Sequence, residues 1–238
     1  MNIVVVIPYY NHPATIADVV HRVLNQGLDC LIIDDGSDEV AKLALEPLKQ
    51  IEQVKVYHRI QNGGKGAAVK TGFQQALALG YSHVLQVDAD AQHQLEDCSK
   101  FVEYAKRYPL DLICGQPIYA EDAPKARLYG RKITNFWIAI NTLSLSIPDG
   151  MCGFRLYPLS ALQKLKLNQV GDFMDFDVEI LVRLYWQKIR FHWIATPIKY
   201  QPEGVSHFRG WKDNLLISKM HARLFFTMLA YQIKRFFV

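Results

Sequence analysis

Short apolar runs alternate with segments of helical spacing along the first half of the chain. Five runs rich in Val, Ile and Leu predict strands, at 3–7, 30–34, 54–58, 83–87 and 110–115. Between them, apolar residues at helical spacing predict helices at 14–25, from Ser37 or Asp38 to about 50, at 67–80 and at 95–107. This order predicts an α/β fold whose mostly parallel sheet carries helices on both faces.

The second half of the chain has a different pattern. Residues 116–150 are first basic and then apolar, and "DGMCGFRLYPL" reads as a loop that enters a helix. An amphipathic helix is predicted at 175–188, followed by one or two strands in "IRFHWIATPIKY" and a helical tail. We therefore expect an α/β half at 1–115, a second half of the same domain at 116–210 and an amphipathic tail at 211–238.

Composition narrows the possible functions. The net charge of the 238 residues is only +4, which is too weak to indicate a nucleic-acid partner. The four cysteines form no Cys-x-x-Cys pair, so neither a zinc site nor a disulfide framework is expected. We therefore expect the protein to reside in a reducing compartment such as the cytosol. No signal peptide is expected after Met1, and the apolar run 224–233 is about half of the ~20 residues that span a bilayer.

The stretch "SHVLQVDADAQHQ" ends a predicted strand with two carboxylates. Alternate side chains of an extended segment share one side, so Asp88, Asp90 and Gln92 are expected to converge. Carboxylates that are close together repel unless a cation lies between them, and oxygen ligands of this kind suit Mg²⁺ or Mn²⁺. The alternative is a helix N-cap beside a solvated acid. His93 is expected to point elsewhere or to touch an acceptor.

Other polar residues follow the neighbouring strands, where ligands of such sheets bind. Pro8, Tyr10 and Asn11 end the first strand and Asp35 ends the second, positions that suit contacts to a base or a ribose. The loop "NGGKG" allows backbone amides and Lys65 to approach phosphates at a helix start. In the alternative interpretation the tyrosine packs, the aspartate belongs to a turn and the lysine is solvated.

With these residues placed, the sequence resembles the family 2 glycosyltransferases of GT-A fold, and within them the dolichyl- and polyprenyl-phosphate mannosyl- or glucosyltransferase branch. The matching strings are "VVIPYYN", "IIDDGSD", "GGKGAAVKTGF", "VDADAQH", "DGMCGFRLY" and "FDVEIL", which cover roughly residues 3–200 in the order of the family.

The resemblance implies a Rossmann-like GT-A fold with a nucleotide-sugar-binding half at 1–115 and an acceptor-binding half at 116–210. It implies an inverting displacement of a nucleoside diphosphate, UDP or GDP, from a sugar. Residues that it places at the site are Pro8, Tyr10 and Asp35 on the nucleotide, Asp88, Asp90 and Gln92 on the metal, and Asp149 and Arg155 beside the donor sugar or acceptor. The chain departs from that branch at His12, Pro117, Met151 and Cys152.

Two routes for the acceptor stay open. Transfer to a hydroxyl needs a general base, for which Asp149 is the first candidate, with Asp175 and Asp177 behind it. Transfer to a phosphate oxygen needs none, and Arg127 and Arg131, four residues apart, could bind such a phosphate from one helical face. A basic solvated face is the alternative for these arginines, and a structural ion pair is the alternative for Arg155.

The tail 211–238 combines charge with apolar bulk. On an ideal helix of ~100° per residue, Lys212, Lys219, Arg223 and Lys234 share a sector about 60° wide, and bulky apolar residues fill the rest. This pattern predicts a helix that lies in an anionic bilayer surface. The alternative is packing on the core or on a second copy in a homo-oligomer.

Together, the patterns and the resemblance to family 2 glycosyltransferases imply a metal-dependent inverting glycosyltransferase. It would move a sugar from a UDP- or GDP-linked donor to a lipid or lipid-linked acceptor, while bound peripherally to the cytoplasmic face of the membrane. One alternative is a catalytically silent nucleotide-binding protein that docks a partner. Another is a sugar-1-phosphate nucleotidyltransferase, for which "IPYYNHP" lacks the expected glycine-rich run with an arginine.

Overall fold

A single seven-stranded sheet organises the chain in the computed structural model, which describes residues 1–119, 125–199 and 210–236 and, within them, leaves out the side chains of 126, 127 and 234–236. The strand order is β3-β2-β1-β4-β6-β5-β7. The strands are β1 (Ile3–Tyr9), β2 (Asp29–Asp34), β3 (Val54–His58), β4 (His83–Gln86), β5 (Leu112–Tyr119), β6 (Arg155–Pro158) and β7 (Phe191–Ile198). Among these, β6 alone runs antiparallel to its neighbours β4 and β5.

Helices cover both faces of the sheet, as predicted. They are α1 (Ile16–Leu24), α2 (Glu39–Leu43), α3 (Lys65–Ala78), α4 (Cys98–Arg107), α5 (Lys125–Thr142), α6 (Leu159–Leu162), α7 (Phe176–Trp186) and α8 (Gly210–Phe236). The α/β fold class with a mostly parallel sheet is therefore confirmed.

Alternation along the strands creates two apolar cores. Val4 and Val6 of β1 face a cluster that includes residues of α3, α7 and α8, whereas Val5 and Ile7 face a cluster that includes residues of α1 and α4. Each of these four side chains is almost fully buried, which contributes roughly 1.5–3 kcal/mol apiece. A central strand buried on both sides reads as the continuous run "VVVI".

The main error of the sequence interpretation lies at β6. The segment "DGMCGFRLYPL" does not lead directly from a loop into a helix, because it reaches helix α6 only at its last residue, Leu159. Instead Arg155–Pro158 forms a strand that pairs with β4 on one side and β5 on the other. Because β6 is antiparallel, its first residue lies at the edge where the parallel strands end. The loop that precedes it is thereby brought to the ligand-binding edge.

Several element boundaries also differ from the predictions. Strand β1 continues through Pro8 to Tyr9, and β5 starts at Leu112 and extends to Tyr119. Asp38 caps α2 by accepting from the backbone N–H of Ala41, but that helix is only five residues long. The segment "IRFHWIATPIKY" contributes one strand, β7.

Helix α7 is not amphipathic. All of its first seven residues, Phe176 to Val182, are buried, including the charged side chains of Asp177 and Glu179. Glu179 does not contact Arg155 through any described hydrogen bond or ion pair. It lies 2.7 Å from Arg183 and 2.5 Å from Arg223 of α8, and its carboxylate joins the two helices.

Helix α8 packs one face on the core. Ile217, Met220 and Leu224 belong to the same apolar cluster as α7. Within residues 1–119, 125–199 and 210–236, no helix is both long and apolar enough to cross a bilayer.

Candidate active site

One edge of the sheet gathers most of the polar residues that the sequence singles out. The parallel strands β1, β2 and β4 end there, and the antiparallel strand β6 begins there. Gln86, the last residue of β4, lies directly opposite Arg155, the first residue of β6. Strand direction therefore brings the loops after Tyr9, Asp34 and Gln86 together with the loop before Arg155.

The segment that follows β4 is a turn, so the predicted extended geometry is wrong. β4 ends at Gln86, residues 89 and 90 form a turn, and Ala91 has a φ of 57° in the left-handed region. The strict alternation that was expected to align Asp88, Asp90 and Gln92 therefore does not hold. Asp90 instead accepts a hydrogen bond of 3.1 Å from the backbone N–H of Gln92.

Two neighbouring elements fix this turn. The hydroxyl of Thr15, which precedes α1, donates to the carbonyl of Ala89 at 2.6 Å. On the other side, the backbone N–H of Lys199 donates to the carbonyl of Gln92 at 3.0 Å, just past the end of β7. His93 forms a backbone bridge with Ile198. The acidic turn is therefore held from both sides.

Lys65, the first residue of α3, lies between two carboxylates. Its Nζ is 2.8 Å from Oδ1 and 2.9 Å from Oδ2 of Asp88, and 2.8 Å from Oδ2 of Asp177. The two acids come from β4's turn and from α7, far apart in the sequence. Lys65 is therefore an ion-pair partner of the acidic turn, and its contact with phosphates stays a prediction.

The charges in this cluster stabilise one another. Burial works against the charge on Lys65, yet the carboxylates of Asp177 and Asp88 outweigh it and raise the pKa of the ammonium. Burial also opposes ionisation of Asp88, but Lys65 and then His93 hold the pKa of its carboxyl well below the usual range. The Nε2 of His93 lies 3.4 Å from Asp88, and its ring stacks on Phe154. Both members of the ion pair are charged at neutral pH.

Gly153 closes over this ion pair. A Cβ at this position would lie 2.8 Å from Nζ of Lys65 and 2.9 Å from Oδ2 of Asp88. Any side chain larger than hydrogen would displace the pair. The sequence "CGF" thus places backbone alone against the charged cluster.

Behind the ion pair, buried polar groups fix Asp177. Its Oδ1 accepts from Nε2 of Gln86 at 3.0 Å, and Gln86 in turn accepts from the hydroxyl of Tyr157 at 3.3 Å. Arg155 is 1 % exposed and donates to the carbonyls of Asp177 at 2.5 Å and Gly150 at 2.8 Å. Arg155 therefore holds the backbone at Asp177 and Gly150 in place, which is the contact expected of a structural residue.

Asp35 shapes the glycine-rich loop. Its carboxylate accepts from the backbone N–H groups of Gly63 and Gly64 and forms an ion pair with Arg59. Burial raises the pKa of Asp35, and the Gly63 amide and Arg59 oppose that shift. Gly64 has a φ of 96°, which few other residues adopt, and it leads directly into Lys65. This contact sets where α3 begins, while a role of Asp35 in nucleotide binding stays a prediction.

The residues after β1 line the same edge. Pro8 and Tyr10 are half-buried. Asn11 has a φ of 52° and accepts from the backbone N–H of Asp38 at 2.9 Å, while its own N–H donates to Ser37. Asn11 thus joins the ends of β1 and β2, and Tyr10 and Pro8 stay predictions as nucleotide contacts.

The loop before β6 reaches the acceptor side through Asp149. Its Oδ1 accepts from the backbone N–H groups of Met151 at 3.0 Å and Cys152 at 2.8 Å. Its Oδ2 lies 2.8 Å from Nε of Arg131, whose guanidinium stacks over the ring of Tyr119. Both oxygens of the first candidate base are therefore engaged within the protein.

Arg131 and Asp149 belong to the wall of a cavity of about 470 Å³ between the end of β5 and α5. Cations and apolar groups share this wall: Lys125, Arg131 and Lys132 with Pro117, Leu128, Tyr129 and Pro148. Arg127 lies in the first turns of α5, and its side chain is outside the described part of the structure.

Asp175 precedes α7 without capping it through its side chain. Its Oδ1 accepts from the backbone N–H of Phe173 at 3.2 Å, and burial raises the pKa of its carboxyl. The three candidate bases Asp149, Asp175 and Asp177 all lie in loops or helix starts near this edge, but each has partners already.

The acidic turn has the donor chemistry of a Mg²⁺ or Mn²⁺ site. Asp88 and Asp90 supply carboxylates and Gln92 supplies an amide. Oδ1 of Asp88 is buried and receives no directed hydrogen bond, and its described partner is the ion pair with Lys65, which a divalent cation would replace. Within the described ranges, no three His, Cys, Asp or Glu side chains form a ready cage. Mg²⁺ commonly takes one or two carboxylates and completes its shell with water and phosphate oxygens, so Asp88 and Asp90 would suffice as its carboxylate ligands.

Sequence reasoning missed three contributors to this edge. Arg59 pairs with Asp35, Gln86 orients Asp177, and Gly153 covers Lys65. Arg59 and Gln86 follow or end predicted strands at the ligand-binding edge, which was the available signal. Gly153 carried none, because its role depends on the unrecognised strand β6.

Comparisons with known proteins agree with this geometry. A model of glycosyl transferase family 2 matches residues 4–166. The chain is 32% identical over 218 residues to polyprenol monophosphomannose synthase of Mycolicibacterium smegmatis, covering 87% of this chain and 80% of that protein. It is 26% identical over 187 residues to undecaprenyl-phosphate mannosyltransferase of Micrococcus luteus, covering 71% and 72%.

A solved structure shows the same fold. Glucosyl-3-phosphoglycerate synthase of Mycobacterium tuberculosis, in complex with Mn²⁺, UDP and phosphoglyceric acid, superposes with a TM-score of 0.69 at 14% identity. The match covers 95% of this chain and 78% of that one. The sheet, the edge at which its polar loops meet and the family match together show that this chain has the GT-A fold and belongs to glycosyl transferase family 2.

Proposed function

We propose that this protein is a metal-dependent, inverting glycosyltransferase that transfers a sugar from a nucleoside-diphosphate donor to a polyprenyl-type lipid phosphate at a membrane surface. The observation that carries the proposal is the cavity between β5 and α5, whose wall is both cationic and apolar. A lipid phosphate has the matching chemistry, an anion attached to a hydrocarbon chain. Relatives named for transfer to polyprenol, dolichyl and undecaprenyl phosphates support this acceptor class.

The donor side is assigned to the edge after β1, β2 and β4. Backbone amides at the start of α3 and the ammonium of Lys65 would face the diphosphate. Asp88, Asp90 and Gln92 would hold Mg²⁺ or Mn²⁺, which, when bound, supplies positive charge for the departing diphosphate. Complexes of the M. tuberculosis synthase with UDP and either Mn²⁺ or Mg²⁺ support this assignment.

The engaged state of the candidate bases favours phosphate as the nucleophile. Asp149 is held by two backbone amides and Arg131, and Asp177 by Lys65 and Gln86. A general base needs a free acceptor within hydrogen-bond reach of the acceptor hydroxyl. A phosphate oxygen is already ionised and needs no proton acceptor. Arg131 and Lys132 would orient it, because cations beside an apolar wall bind the head and leave the chain to the wall.

Membrane contact is assigned to the outer face of α8. Five apolar residues at helical spacing are exposed there: Trp211, Leu215, Phe226, Leu229 and Ile233. Lys212 and Lys219 flank that stripe and are exposed too. Apolar residues beside a basic edge suit a helix in an anionic interface. Arg223 of the predicted basic stripe is committed to Glu179 instead, and the side chain of Lys234 is outside the described part.

The lipid phosphate assignment is tested by transfer in vitro. The purified protein is incubated with undecaprenyl or dolichyl phosphate in detergent, Mn²⁺ and radiolabelled UDP-glucose, UDP-N-acetylglucosamine or GDP-mannose. We expect label in the organic phase from one donor, loss of that product with EDTA, and a product of inverted anomeric configuration by NMR. Absence of labelled lipid from every donor, with Mn²⁺ or Mg²⁺ present, would refute the proposal.

A further inference from the structure

Lys65 contacts two carboxylates that differ in how firmly they are held, those of Asp88 and Asp177. The Asp88 side chain is 22% exposed and approaches the ammonium with both oxygens, whereas that of Asp177 is 7% exposed. Asp177 is held by Gln86 at 3.0 Å and has Arg155 4.0 Å from the same oxygen. Of the two carboxylates that share the ammonium, one is therefore immobilised and the other is open to the site.

A divalent cation on Asp88 would meet this ammonium on the same carboxylate. Two cations a few ångströms apart repel, and the repulsion is strong where water is partly excluded. Asp177 gives the ammonium a second carboxylate at 2.8 Å, so Lys65 can leave Asp88 without becoming an unpaired buried charge. The geometry thus provides both a competitor for the metal and a place for that competitor to remain.

We infer that Lys65 is a resident counter-ion of the metal site, which yields Asp88 to the divalent cation and stays paired with Asp177. This inference rests on the metal dependence in the proposed function. It adds that metal and nucleotide bind cooperatively. Without nucleotide, Lys65 competes with the metal for Asp88, whereas a diphosphate gives the ammonium an anionic partner and removes the competition.

The test is Mn²⁺ binding measured by electron paramagnetic resonance, with and without UDP. Lys65→Met removes the competitor, so Mn²⁺ alone is expected to bind about tenfold more tightly. UDP should also raise the Mn²⁺ affinity of this variant less than it raises that of the wild type, by a similar factor. Asp177→Asn leaves Asp88 as the one carboxylate for Lys65, and Mn²⁺ alone is expected to bind about tenfold more weakly. The opposite signs distinguish exchange of partners from a general loss of structure.

Lys70→Met is the matched control. Lys70 lies on the same helix and forms an ion pair with Asp172, and it donates to the carbonyls of Leu167 and Val170. This variant removes the same charge, but Lys70 has no described contact with Asp88 or Asp177. The Mn²⁺ affinity of Lys70→Met should therefore equal that of the wild type. Circular dichroism confirms folding of each variant, and Asp177→Asn tests the inference by itself if Lys65→Met does not fold.

The outcomes separate this inference from the proposed function. If Lys65→Met and Asp177→Asn both bind Mn²⁺ as tightly as the wild type does, the counter-ion role is wrong and the metal dependence stays intact. Weaker Mn²⁺ binding in Lys65→Met without UDP would also overturn it. If the wild type binds no Mn²⁺ even with UDP, the metal dependence of the proposed function fails, and the counter-ion role fails with it.

Discussion

At the scale of single residues, the site is built from charges that already have partners. Lys65 pairs with Asp88 and Asp177, Arg131 with Asp149, and Arg59 with Asp35. Such pairing keeps ionised groups in a partly buried site without the large cost of unpaired burial. A charged ligand that bound at this edge would therefore exchange partners with charges that are already paired.

Asp90 is the residue whose substitution separates chemistry from folding. It is half-buried, and its described hydrogen bond is the one from the Gln92 N–H. Asp90→Ala is expected to lower turnover by about 10³-fold, since charge stabilisation by a bound metal is worth several kcal/mol. The melting temperature should change little. Asp18→Ala is the control, because Asp18 is 61% exposed and pairs with Arg22 on α1. Full activity of Asp90→Ala would exclude its role in the metal site.

Arg155 should behave in the opposite way. Its buried guanidinium donates to the carbonyls of Asp177 and Gly150, and removing it takes away both hydrogen bonds and a buried charge beside Asp177. We expect Arg155→Met to lower the free energy of unfolding by about 3–5 kcal/mol, the range for one lost member of a buried charged network. Urea unfolding measures this loss. A variant as stable as the wild type but inactive would instead assign Arg155 to the reaction.

At the scale of secondary structure, long apolar runs were predictable and local exceptions were not. Strands β1 and β2 follow from continuous Val- and Ile-rich runs, which are typical of a sheet covered on both faces, whereas the edge strand β3 follows from the alternating run "VKVYH". β6 was missed because "RLYP" is four residues long, carries a charge and ends in proline. The turn at Asp88–Asp90 was misread because the left-handed conformation of Ala91 has no signal in the sequence.

Contacts within the site were equally hidden from the sequence. The individual acids and Lys65 could be assigned to one edge because parallel strands end together. The pairing of Lys65 with Asp177 joins residues from α3 and α7, and it depends on how those helices pack. Local pattern carries no such information, so the partners of each charge emerge only from the fold.

A buried histidine lies where α8 packs on α5, and we expect it to make the folding stability of the protein sensitive to acid. His221 is 4% exposed, its Nδ1 lies 3.1 Å from Nδ2 of Asn141, and its ring stacks on Trp137. Burial lowers the pKa of His221 from 6.5 to about 4. Because the unfolded chain takes up a proton that the folded chain refuses, stability is full above about pH 6.5 and falls as the pH drops toward 4.

We expect this effect to reach about 3 kcal/mol near pH 4. Urea unfolding of the wild type and of His221→Leu between pH 4 and 7.5 measures it, and the difference between the two proteins isolates this histidine from other acid-sensitive groups. The difference in unfolding free energy between the two proteins should change by about 3 kcal/mol between pH 7.5 and pH 4. A difference in unfolding free energy that is constant with pH would contradict the assignment.

At the scale of the whole molecule, helix α5 lines the cavity beside β5, and both α5 and the helix that packs on it, α8, expose apolar residues. α5 supplies Arg131 and Lys132 to the cavity and exposes Ile133 and Phe136 to the outside. α8, which packs on α5, exposes its own apolar stripe. In the proposed function, a lipid phosphate would enter the cavity along α5, which belongs both to the cavity wall and to the exposed apolar surface.

Membrane binding can be measured by co-sedimentation with anionic phosphatidylglycerol vesicles. Phe226→Glu with Leu229→Glu places two charges in the exposed stripe of α8 and should weaken vesicle binding by at least about tenfold. Val40→Glu with Leu43→Glu is the control, because those α2 residues are at least as exposed and α2 lies between β2 and β3, at one end of the sheet order. Undiminished binding of the α8 variant would assign the outer face of this helix to another role.

The most direct test of the central claim is a crystal structure with Mn²⁺ and a non-hydrolysable nucleotide sugar, in which anomalous diffraction locates the metal. The account predicts one ion bridging the carboxylates of Asp88 and Asp90 to the diphosphate, with the open face of the anomeric carbon toward the cavity at Arg131. A diphosphate bound elsewhere, or an ordered nucleotide sugar with no ion at either aspartate, would contradict it.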